Sequence, residues 1–74
     1  MWDHRIMKRT FPNEVLYQIH EVFYDDEDNV DGWTENPVTV SGIDMEDLKK
    51  GYKLIGTAFE KPVLDWDTGK EAGE

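Results

Sequence analysis

The sequence predicts an α+β fold: a three-stranded antiparallel β-meander, at about residues 2–10, 15–24 and 32–40, with one C-terminal helix over about 45–60 packed on one face. Three observations carry this. Residues 2–7 alternate bulky and polar side chains, and residues 15–24 are rich in β-branched and aromatic types with neither Gly nor Pro. Met45, Leu48, Tyr52, Ile55 and Phe59 then recur at the three-and-four spacing of a single helical stripe. Short connections make the meander with one covering helix the simplest arrangement, and leave the far sheet face and the open edges to solvent.

In the first strand Trp2, His4 and Ile6 alternate with Asp3, Arg5 and Met7, which places the former set inward. Phe11-Pro12-Asn13-Glu14 reverses the chain, because proline fixes its own φ and Asn accepts the bend. The second strand carries Tyr17, Ile19, Glu21 and Phe23 on one face and Leu16, Gln18, His20, Val22 and Tyr24 on the other. Both hold large apolar groups; Tyr17, Ile19 and Phe23 are expected inward, with a bulge as the alternative way to serve both faces. After an acidic turn, Gly32–Val40 resumes extended character, but Pro37 lacks a ladder donor, so this strand is expected short and peripheral. Asp44 can cap a helix whose first turn holds Glu46 and Asp47. Gly51 and Gly56 each weaken it by up to about 1 kcal/mol, so packing on the sheet must support it, and Pro62 stops it near residue 60. Val63, Leu64 and Trp66 can return along the core. Residues 1–67 read as one domain and 68–74 as a disordered tail, being small and polar.

With 74 residues the chain has room for one compact core, and without cysteine it has neither disulfides nor thiolate ligands, which suits a reducing cytoplasm. No apolar run approaches the roughly 20 residues of a membrane span, and the start lacks the apolar core of a signal peptide, so a soluble, unexported protein is expected. Eight Lys and Arg against seventeen Asp and Glu give a net charge of -9, which repels nucleic acid and anionic lipid and favours basic partners. Residues 1–11 are the exception, with Arg5, Lys8 and Arg9 against Asp3 alone. Cross-strand pairing with acidic neighbours is the expected use of that basic island.

The acidic turn is the densest charge in the chain. Glu27, Asn29, Asp31 and Gly32 fall on positions one, three, five and six of a helix-loop-helix calcium loop. The match fails at position one, which should be Asp, and at position twelve, which should be Glu and is Val38; the flanks are strands besides. His20-Glu21 begins like a zinc-protease helix but has Tyr24 where the second His belongs. His4 and His20 can meet across strands, yet lack a third ligand, and buried histidines bonded to neighbours are the ordinary case. Ser41 has no nearby base, and no nucleophile, phosphate loop or cofactor motif is present, so neither enzymatic activity nor a cofactor is expected. Of the aromatic residues, Trp33 is the one expected to be exposed, at the mouth of the acidic hairpin after Gly32.

The blocks Trp2-Asp-His-Arg-Ile6, Ile19-His-Glu-Val-Phe-Tyr-Asp25, Gly32-Trp-Thr-Glu-Asn-Pro-Val38 and Lys61-Pro-Val-Leu-Asp65 resemble those of a group of small, uncharacterised bacterial proteins. The resemblance spans residues 2–65 and implies a common domain without catalytic residues. This chain departs from it at Gly51 and Gly56, in a helix that the resemblance implies to be richer in Leu, Glu and Arg.

The expected function is a non-enzymatic protein-binding or adaptor module, with Asp25, Asp26, Glu27, Asp28, Asp31, Trp33 and Glu35 as the contact to a basic protein surface. Neither direct nucleic-acid binding nor membrane association is expected, and a homodimer through a sheet edge is an alternative assembly. Two other functions compete: a nucleic-acid-mimicking inhibitor of the phage or anti-CRISPR type blocking a basic channel, and a weak divalent-metal-binding protein.

Overall fold

The computed structural model describes residues 1–73. Its α+β architecture runs β1 (Trp2–Thr10), β2 (Val15–Tyr24), β3 (Val30–Trp33), α1 (Met45–Gly56), a 3-10 turn at Thr57–Glu60 and β4 (Leu64–Asp65). The sheet order is β3-β2-β1-β4. It is mixed rather than purely antiparallel: β1 pairs antiparallel with β2 and β2 with β3, whereas β4 lies parallel to β1 with Met7 beside Leu64. A parallel neighbour needs a crossover, and the whole stretch from residue 34 through α1 supplies it.

The buried face is the one opposite to that expected. Trp2, His4, Ile6 and Lys8 pair with Phe23, Glu21, Ile19 and Tyr17 on one side of the β1–β2 ladder; Asp3, Arg5, Met7 and Arg9 pair with Val22, His20, Gln18 and Leu16 on the other. Met7, Val22 and Leu64 form the core on the second side, with Tyr24, Val30, Trp33 and Trp66 packed around them. Tyr17 and Phe23, expected inward, are exposed. The reason is β4, which brings Leu64 and Trp66 to the second face and adds them to the meander's own Tyr24, Val30 and Trp33.

The first face is covered only in part. Ala58 and Val63 are buried and His4 is 6% exposed beneath that cover, but no residue of α1 is buried. The expectation of a helix over 45–60 packed on the sheet is thus corrected: α1 starts at Met45 as predicted, with the Asp44 carboxylate accepting from the Asp47 amide at 2.8 Å, but it gives way to 3-10 geometry after Gly56. There the Thr57 hydroxyl donates to the Leu54 carbonyl, and the tighter turn rotates Ala58 inward and Phe59 outward.

The third strand is shorter than 32–40 and begins earlier. β3 departs from the expected span because Glu35–Pro37 loop out around a proline that cannot donate. Its continuation still follows β2, since the Thr34 amide donates to Glu21 and the Val38 amide to Ile19. The expected bulge option is realised between Phe23 and Tyr24. Past β4, Gly69 donates to Asp65 and Ala72 to Val63, and Glu71 bridges Leu64. The stretch read as a disordered tail is therefore hydrogen-bonded through Ala72, while Glu74 lies outside the described residues. Gly69 makes that return feasible: its φ is +72°, and a Cβ there would stand 2.6 Å from the Trp33 ring.

Candidate functional site

The acidic turn joins β2 to β3 and is built by one of its own carboxylates. Asp25 Oδ1 accepts from the amides of Glu27 and Asn29, at 2.9 and 3.0 Å, and its own amide donates to the Asn29 carbonyl. This Asx arrangement lets Asp28 take a left-handed conformation, φ 62°, which Asp tolerates better than most residues. Asp25 is thus occupied in shaping the turn. Asp26, Glu27, Asp28 and Asp31 project from it into solvent, and Glu35 is exposed on the loop after β3. Among the described residues the one ion pair joins Lys61 to Asp3 and includes none of these carboxylates.

Trp33 does not stand at the mouth of the turn as expected. It registers with Val22 on the inner face, where its ring meets Trp66 at 6.1 Å in an edge-on arrangement and closes over Gly69. The exposed aromatic residues at that end are instead Trp2 and Phe23, which are 49% and 42% exposed and paired on adjacent strands of the outer face. The Trp2 ring meets that of the buried His4 edge-on, 5.3 Å between centroids. On the other side of Phe23 stands Gly32, with nothing within 4 Å of where a Cβ would be. The outer face therefore ends, at the root of the acidic turn, in two rings beside bare backbone. Sequence reasoning missed Trp2 and Phe23 by assigning both to the core; the available signal was that each face of β2 carries large apolar groups.

Two cations of the basic island, Arg5 and Arg9, are spent internally, though not on the cross-strand acidic pairs expected. Arg5 donates to the Tyr24 hydroxyl at 2.9 Å and to the Pro62 carbonyl at 2.8 Å, and Tyr24 donates to Asp3 at 2.7 Å. Burial, reinforced by the bond to Asp3, raises the Tyr24 pKa above its usual 10.0. Arg9 lies over the Trp66 ring at 4.4 Å and near Phe11 at 5.0 Å, so aromatic faces rather than carboxylates receive it. His20, 1% exposed, places Nδ1 3.0 Å from the Thr34 carbonyl and its ring 5.1 Å from that of Trp66. Burial lowers its pKa below 6.5 in spite of that hydrogen bond.

Three open depressions accompany these features. One of about 640 Å³, walled by Arg5, Tyr24, Asp28 and Lys70, balances acidic and basic groups. Two apolar grooves of about 410 and 390 Å³ flank Phe59, the first against Ile19 and Ile55 and the second against Ile6 and Tyr17. Among the described residues no group of three or more His, Asp or Glu side chains is placed to hold a metal ion. Among the same residues no helix is long and apolar enough to cross a membrane. Compared with family models, curated proteins and solved structures, the chain matches none.

Proposed function

We propose that this chain is a non-enzymatic protein-binding module, which holds a basic protein surface against its acidic turn and the adjoining outer sheet face. The observation that carries the reading is the exposure of Asp26, Glu27, Asp28 and Asp31 on an internally hydrogen-bonded turn, with no cation among the described residues paired to them. Carboxylates held out in this way concentrate negative potential, which speeds encounter with a cationic surface and disfavours an anionic one. Trp2 and Phe23 add the apolar contact area that exposed charge alone does not supply.

The test separates the turn's charge from its shape. Asp26→Lys, Glu27→Lys and Asp31→Lys reverse the free carboxylates while leaving Asp25 and Asp28 to build the turn. Partners captured by the wild-type chain and identified by mass spectrometry should bind less as salt rises, and should be lost by the triple variant. Capture that is equal for both proteins would reject the turn as the contact.

A further inference from the structure

The outer end of the sheet differs from the core in one chemical respect. Inside, Arg9 covers the Trp66 ring, so that aromatic surface is already matched by a cation of this chain. Outside, Trp2 and Phe23 present two half-exposed rings on neighbouring strands, next to carboxylates that are paired to no cation among the described residues. The third strand in that row contributes Gly32, which leaves open the space that any other residue would fill. Glu21 lies two residues along β2 from Phe23 on the same face, so carboxylates stand on both sides of the rings.

Resting on the protein-binding reading above, we propose that Trp2, Phe23 and Gly32 form a seat for an arginine side chain within a basic, extended segment of a partner protein. Asp26, Glu27 and Asp31 receive the basic residues that follow it. Charge complementarity selects the occupant. The rings attract a cation through their negative faces, and flanking carboxylates add to that attraction. Arginine suits the seat better than lysine, because its planar guanidinium lies flat against an aromatic face and is more weakly hydrated. Gly32 supplies room where the rings supply attraction: a side chain there would occupy the space beside Phe23 that the guanidinium and its stem take. An apolar anchor would use the rings equally well, but would leave the surrounding carboxylates unmatched. A nucleic acid is disfavoured by those same carboxylates.

The test uses the full chain and two fluorescein-labelled peptides of equal length and charge, one alternating arginine with glycine and one alternating lysine with glycine, titrated by fluorescence anisotropy. The arginine peptide should bind the wild-type chain more tightly than the lysine peptide. Trp2→Leu keeps apolar bulk but removes the π face, and Gly32→Val fills the space beside Phe23 without requiring a left-handed backbone. Each should weaken the arginine peptide by about tenfold and bring it level with the lysine peptide. Thermal melts of both variants separate lost binding from lost folding, and agreement between two variants on different strands guards against either one failing. Equal affinity for the two peptides, or full affinity in Trp2→Leu and Gly32→Val, overturns the arginine seat. If the lysine-substituted turn then still loses both peptides, the protein-binding reading survives without the seat. If neither peptide binds at low salt, both fall. Tighter binding of a single-stranded oligonucleotide than of either peptide also overturns the proposal.

Discussion

His20 couples the stability of the fold to acid. Its imidazole is buried against Trp66 with a pKa lowered below 6.5, so the unfolded chain binds a proton more readily than the folded one. By linkage the protein keeps the full contribution above pH 6.5 and loses it progressively as the pH falls from 6.5 through the lowered folded-state value. Urea denaturation should therefore show lower stability at pH 5 than at pH 7.5, and His20→Gln should flatten that part of the profile. Gly69 offers a second test. Alanine there faces about 1–2 kcal/mol for the left-handed backbone and in addition meets the Trp33 ring, so Gly69→Ala should lower the urea midpoint and shift tryptophan fluorescence. Neither residue could be placed from sequence with this meaning. The reading of the histidines as buried and bonded to neighbours describes His20 well, but its partner Thr34 lies beyond the turn, where only tertiary structure assigns a carbonyl. Gly69 stood in a polar stretch that looked unstructured because its supports, Asp65 and Trp33, act through backbone geometry and packing rather than through hydrophobic period.

Strands β1 and β2 and the start of α1 were legible because each has a strong local cause: alternation, a β-rich run bounded by turn residues, and a capping Asp44. What was illegible has no such cause. Two residues of β4 show no period, and the choice between two apolar faces of β2 depends on which one β4 reaches. The phase change at Thr57 likewise breaks a stripe that continues smoothly on paper from Ile55 to Phe59. One consequence is that α1 is weakly supported, since none of its residues is buried. Hydrogen exchange should show its amides opening well below the free energy that protects β1 and β2. Gly51 sits within α1 with open space where a Cβ would stand, so Gly51→Ala should stabilise the helix by up to about 1 kcal/mol, seen as slower exchange there and higher helical ellipticity. An unchanged exchange rate would mean that α1 is held by contacts stronger than its exposure implies.

At the scale of the molecule, a net charge of -9 with one ion pair among the described residues sets two salt effects against each other. Screening should relieve self-repulsion and raise the melting temperature of the free protein between low salt and about 0.15 M, over which the Debye length shrinks to about 8 Å. The same salt should weaken capture of a basic partner, so thermal stability and binding should move in opposite directions along one titration. The core that opposes the charge is small. Met7, 1% exposed, touches the centre of it, and Met7→Ala should cost about 2–5 kcal/mol by calorimetry, a large share of the roughly 5–15 kcal/mol typical of a native domain. The parallel pairing of Met7 with Leu64 also fixes an order of events during synthesis. The β1–β2–β3 ladder and its acidic turn can leave the ribosome with their inner face still bare, and only when Leu64 and Trp66 emerge does that face acquire its cover. A nascent chain halted before residue 64 should thus expose Met7 and Val22 to chaperones and proteases, with the acidic turn already outside to limit its aggregation.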